Sequence, residues 1–172
     1  MNENFILTID DVFSKQECEI LINSCLDHII FDKNKNFSYC EIDVISFPFL
    51  FKLKNIINLY IKKYPEVNMT YSYWQLNHLR FKFFKKGESF VNWHSEHSMD
   101  SPFRVLALQI YLTEHNCGTQ FYYNKKTILS KIGRVCMFPA YFTHTHKGQP
   151  DFDKDRMIIT GYYSFTKKGK NE

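Results

Sequence analysis

The sequence predicts an α+β, mainly β fold, a barrel or jelly roll with two helices near the N-terminus lying on one sheet. Two observations predict it. Apolar residues recur at helical spacing in the first third of the chain, whereas from about residue 67 the chain becomes short β-branched and aromatic stretches. Those stretches are separated by turn-forming groups such as Lys85-Lys86-Gly87, Asn116-Cys117-Gly118, Lys131-Ile132-Gly133 and Lys147-Gly148-Gln149-Pro150, the punctuation of an antiparallel unit.

The first helix is expected at roughly residues 15 to 29. Ser14 followed by Glu17 forms a capping box ahead of Ile20, Leu21, Cys25, Leu26 and Ile29. A second apolar stripe, Leu50, Leu53, Ile56, Ile57, Tyr60 and Ile61, begins after Pro48 and must end before Pro65. The polar segment from Asp32 to Asn36 between them is read as a turn. Strands are expected at Leu76–Phe84, Ser89–Glu96, Arg104–Leu112, Gln120–Tyr123, Arg134–Phe138, Tyr141–His146 and Met157–Phe165.

At 172 residues the chain fits one domain, with a helical part at about 1–66 and a β core at about 67–166. With 44% hydrophobic residues, 17 Phe, 11 Tyr and 2 Trp, it carries too much apolar material to remain disordered. The net charge of +4 comes from scattered lysines and gives no indication of nucleic acid. The nearly apolar run Val44–Phe51 is far too short for a membrane span, and the opening Met-Asn-Glu-Asn is not signal-like. Five cysteines without a C-x-x-C pair argue against a disulfide framework and a thiolate zinc site, so a cytoplasmic chain with reduced thiols is expected. The basic stretch Lys167-Lys168-Gly169-Lys170 reads as a solvated end.

The chemistry is concentrated in the histidines. Four of seven fall in Trp93-His94-Ser95-Glu96-His97 and Thr143-His144-Thr145-His146. On a strand, His94 and Glu96 would share a face with α-carbons about 7 Å apart, and His146 from a second strand could complete a two-histidine, one-carboxylate set. Such a set leaves three positions open on an octahedral iron(II), but it also suits tetrahedral zinc. His144 shares a face with His146 and competes for the same role, giving a cupin-like alternative with zinc or manganese; His97 points the other way. Arg156 follows ten residues after His146 and has the fork geometry to grip a carboxylate, unless it only pairs with Asp153 or Asp155.

In order and spacing these pieces resemble the 2-oxoglutarate- and iron(II)-dependent dioxygenases, most closely the prolyl 4-hydroxylase-like branch. The resemblance runs from Asp10–Cys18 through Phe83–Gly87 and Trp93–Glu96, Arg104–Leu112, Gly118–Phe121 and Gly133–Pro139 to His146–Tyr163. It implies a double-stranded β-helix with both helices on the major sheet, iron bound by His94, Glu96 and His146, and the distal carboxylate of 2-oxoglutarate held by Arg156 and Tyr111. A core tyrosine satisfied locally is the other reading of Tyr111. The implied activity is hydroxylation of a peptide or small molecule, first of all a peptidyl proline, consuming O2 and 2-oxoglutarate with ascorbate as an accessory reductant. Glu96 replaces the family's commoner aspartate, Phe84 stands where relatives often carry tyrosine, and Tyr162 where they often carry tryptophan. A non-catalytic jelly-roll binding protein is the competing reading. Oligomeric state is left open, and 37–47 and 98–103 are candidate lids.

Overall fold

A computed structural model describes residues 4–33, 37–70 and 73–166. Residues 34–36 of the expected turn and the basic stretch 167–170 lie outside them.

Helix α1 (Lys15–Leu26) starts at the predicted capping box: the Glu17 N–H donates to Ser14 Oγ at 3.2 Å, and the Ser14 N–H donates to Glu17 Oε2 at 2.7 Å. It ends three residues earlier than predicted, at the Asp27 cap. Helix α2 (Leu50–Lys63) follows its apolar stripe, with Leu53, Ile56 and Tyr60 buried. Lys52 joins the helices, donating to Glu17 Oε2 at 2.7 Å and to the Val12 carbonyl at 2.8 Å.

Among the described residues, ten strands form two antiparallel sheets. They are β1 (Leu7–Ile9), β2 (Ile30–Asp32), β3 (Phe37–Ile42), β4 (Trp74–Phe84), β5 (Arg104–Tyr111), β6 (Gly118–Phe121), β7 (Thr127–Leu129), β8 (Val135–Pro139), β9 (His146–Gly148) and β10 (Arg156–Phe165). The larger sheet runs β1-β8-β5-β10-β4-β3-β2 and the smaller β7-β6-β9. Three strands, β1 to β3, come from the part of the chain read as helices and turns. Phe37–Ile42, read as part of a lid, is instead fixed in the sheet with Cys40 opposite Phe81. Neither Ser89–Glu96 nor Tyr141–His146 is a strand: the first is a loop with one bridge at His94, and the second holds a short 3-10 turn at Phe142–His144 before β9.

The period of two sorts the larger sheet into two apolar faces. Leu79, Phe81, Leu106, Leu108, Ile110, Ile159 and Tyr163 pack with Leu21, Cys25, Leu53, Ile56 and Tyr60 of the helices. Phe84, Ala107, Tyr111, Phe138, Ile158 and Tyr162 face the other way and pack with Phe121 and Ile128 of the smaller sheet. The space between the sheets is therefore where alternate residues of β4, β5 and β10 meet the loops flanking β9. No helix among the described residues is long and apolar enough to cross a membrane, and all five cysteines are free.

Candidate metal centre

His94 and His146 face each other across an isolated bridge. The His94 N–H donates to the His146 carbonyl at 3.0 Å and the His146 N–H returns the bond at 2.9 Å, bringing the ring centroids within 4.4 Å. Glu96 is placed by a different anchor, since its N–H and that of His97 both donate to the Ala140 carbonyl, at 3.0 and 2.9 Å. The three side chains thus converge because one loop is stitched at His94 to β9 and at Glu96 to the end of β8. A regular strand carrying His94 and Glu96 on one face, the arrangement expected from the spacing, is absent from the described residues.

Glu96 Oε1 lies 3.7 Å from His94 Nε2 and 3.5 Å from His146 Nε2. These separations exceed good hydrogen bonds, yet they are close to the 3.0–3.4 Å or so between donors that share an ion about 2.1 Å away. Each imidazole has its Nδ1 2.9 Å from a carbonyl oxygen, that of Asn92 for His94 and that of His144 for His146. A carbonyl can only accept, so Nδ1 carries the proton and Nε2 keeps its lone pair. His146 Nε2 is buried and has no hydrogen-bond partner, a cost of about 1–3 kcal/mol that an ion would relieve. Burial works against the charge on Glu96, while Lys82 and the 3.2 Å contact from Arg104 Nη1 to Oε2 favour it. The donor set is two neutral nitrogens and one anionic oxygen.

Arg156 begins β10 opposite Phe84 and is 2% exposed. Its Nη2 donates to Ser89 Oγ at 2.8 Å, its guanidinium lies 4.8 Å from the Phe84 ring centre, and its Nε has no partner. The anticipated alternative, pairing with Asp153 or Asp155, is not formed: Asp155 Oδ1 accepts the Lys86 N–H instead. A buried guanidinium facing a ring, a hydroxyl and an unfilled donor is costly unless an anion joins it. Gly148 lets it sit there, because a β-carbon at that position would collide with Ser89 Oγ and come within 3.1 Å of Arg156 Nη2. The Tyr111 hydroxyl lies 2.8 Å from Thr119 Oγ1 and 3.0 Å from Gln109 Oε1. It reaches the cavity only through those two, which line it with Lys82, Phe84, Phe90, His94, Glu96, His146, Gly148, Arg156 and Ile158.

His144 is turned away. Its Nε2 donates to the Asn4 carbonyl at 2.8 Å, so it does not converge with His146 as the cupin-like alternative required. His97 packs on Tyr141 and reaches the Pro102 carbonyl at 3.0 Å. Ser89, Lys82, Gln109, Thr119 and Arg104 belong to the site without having been singled out. Only the inward alternation of β4 and β5 could have pointed to Lys82 and Gln109; Ser89 carries no spacing signal. A second grouping, His115, Cys117 and Asp151, is built differently. His115 Nδ1 is 2.6 Å from Asp151 Oδ2 and its Nε2 2.8 Å from Thr113 Oγ1, so both nitrogens are occupied by hydrogen bonds.

No family model and no curated protein matches the sequence. Solved structures do match. A viral collagen prolyl hydroxylase from Paramecium bursaria Chlorella virus-1, solved with 2-oxoglutarate, superposes with a TM-score of 0.72 at 16% identity over 92% of this chain and 95% of its own. This chain has the fold of a prolyl hydroxylase. A Pseudomonas putida prolyl-4-hydroxylase gives 0.71 at 12% identity, covering 95% of this chain and 93% of its own. A Trichoplax adhaerens prolyl hydroxylase, in complex with a hypoxia-inducible-factor peptide fragment, gives 0.62 at 14% identity, covering 95% and 84%.

Proposed function

We propose that this chain is a 2-oxoglutarate- and iron(II)-dependent dioxygenase built on a double-stranded β-helix, hydroxylating a peptide side chain. A peptidyl proline is the first substrate to test. One observation carries the reading: His146 Nε2 and Arg156 Nε are both buried and unpartnered, and they line one cavity with His94 and Glu96. A metal site and an anion site side by side suit a ligand that chelates an ion at one end and carries a carboxylate at the other.

In this reading His94, Glu96 and His146 hold the iron on one face, leaving three positions open. Arg156, with Ser89, binds the distal carboxylate, and Tyr111 orders the wall next to it through Gln109 and Thr119. When bound, the iron and co-substrate supply the oxidising chemistry, with O2 and an accessory reductant such as ascorbate. The protein's share is orientation and dryness, for which Phe84, Phe90 and Ile158 wall the cavity. Beside the histidines, exposed Trp93 and Tyr122 meet edge to face at 5.1 Å, with Lys147 over the Trp93 ring. That ledge suits an apolar ring presented on an extended peptide. The solved neighbours support the choice, one as a collagen prolyl hydroxylase bound to 2-oxoglutarate and another in complex with a peptide fragment. Free thiols accord with a reducing, cytoplasmic setting.

Anaerobic titration of Fe(II) and then 2-oxoglutarate, followed in the visible for the metal-to-ligand charge-transfer band, tests this directly. Admission of O2 should then release succinate. Arg156→Ala should retain iron binding and lose the 2-oxoglutarate-dependent band at concentrations that saturate the wild type. Iron binding without the band in the wild type would reject the co-substrate, and neither signal would leave a binding module.

A further inference from the structure

The carboxylate of Glu96 is divided between two neighbours. Oε1 faces the two imidazoles at 3.5 and 3.7 Å, while Oε2 is 3.2 Å from Arg104 Nη1. The same Nη1 is 3.2 Å from the Glu96 carbonyl, so its two protons hold both the backbone and the side chain of one residue. Arg104 is itself fixed: its guanidinium carbon lies 3.5 Å from the centre of the Tyr162 ring, and its own backbone pairs with β10 opposite Ser164.

A carboxylate can give a metal one oxygen or two. Glutamate has a flexible arm, and with Oε2 unengaged it can rotate both oxygens onto the ion. That would consume one of the three positions the proposed reaction needs. We infer that Arg104 is a positioning residue that holds Glu96 Oε2 off the metal and so enforces single-oxygen coordination. The inference rests on the metal reading above but concerns a residue outside the donor set. It also accounts for a cation placed beside a dication site, where charge alone would make it unfavourable.

Metal-bound water counts the open positions without any turnover. Mn(II) bound to the wild type in 17O-enriched water, examined by electron-nuclear double resonance, should show three bound waters. Arg104→Met and Arg104→Gln, which give up the forked cation and its reach, should each show two. Arg104→Ala should also show two, and methylguanidinium, for which that truncation leaves room, should restore the third, a recovery that a merely structural role would not produce. Near-ultraviolet circular dichroism establishes that each variant is folded, and because the variants differ in polarity, one carries the test where another fails to fold. Three waters in every folded variant would overturn the role of Arg104 and leave the metal site intact. A wild type that binds no Mn(II) or Fe(II) at all would overturn both.

Discussion

Replacing Gly148 by alanine drives a methyl group between Ser89 and Arg156, onto Ser89 Oγ and to 3.1 Å from Arg156 Nη2, with the Phe90 carbonyl at 3.5 Å. The backbone of Gly148 does not need the left-handed region, so the cost is steric alone. Overpacking of this kind costs about 1–3 kcal/mol. The hydroxyl that must move is also the one Arg156 donates to at 2.8 Å, and a hydrogen bond to a charged group is worth about 1.5–3 kcal/mol. Ser89→Ala alone loses that bond but opens the space the methyl needs. In the double variant the collision largely disappears, so its destabilisation should fall short of the sum of the singles by about 1–2 kcal/mol. Urea denaturation of the four proteins measures the cycle. The 2-oxoglutarate affinity of the Fe(II) proteins, titrated without O2, should follow the same pattern, with Gly148→Ala weakened roughly 10- to 100-fold. Additivity within about 0.5 kcal/mol, or unchanged affinity in Gly148→Ala, would refute the crowding of Ser89 and Arg156 beneath Gly148.

Two further outcomes follow from neighbouring groups. His146→Ala should weaken Fe(II) binding at least about a hundredfold, more than outer contacts usually do, whereas His144→Ala should bind iron like the wild type and lose about 1–3 kcal/mol of stability with the bond to Asn4; equilibrium dialysis and urea melts separate the two. The hydrogen bond from His115 holds the Asp151 carboxyl at about 2, below its ordinary 3.8, so its contribution is complete above pH 4 or so and is lost as pH falls through about 2. Screened at its partly open position, that contribution is about 1–2 kcal/mol, and Asp151→Asn should flatten this part of the acid limb of the stability curve.

The helices were readable because their signals are local: a capping box at Ser14 and Glu17, and an apolar stripe bounded by Pro48 and Pro65. Strands β4, β5, β8 and β10 were readable by their aromatic and β-branched runs to within a few residues. Strands β1, β2 and β7 escaped because three residues cannot display a period, and β3 because it lies directly after the polar turn at 32–36, in a segment read as a lid. The loop at 89–96 was mistaken for a strand since its composition is strand-like. It is held by the bridge between His94 and His146, the Ala140 carbonyl, the Gly148 N–H on the Phe90 carbonyl and Arg156 on Ser89, contacts that spacing along the chain cannot reveal. For the same reason the spacing brought His94, Glu96, His146 and Arg156 forward, while Ser89, Arg104 and the crowding at Gly148 emerged only once distant segments were folded together.

The proposed iron site is tested most directly by crystals soaked anaerobically with Fe(II) and 2-oxoglutarate and measured at the iron absorption edge. The account predicts one anomalous peak within bonding distance of His94 Nε2, His146 Nε2 and Glu96 Oε1, with a co-substrate carboxylate against Arg156. A peak at His115, Cys117 and Asp151 instead, or none between the sheets, would contradict it.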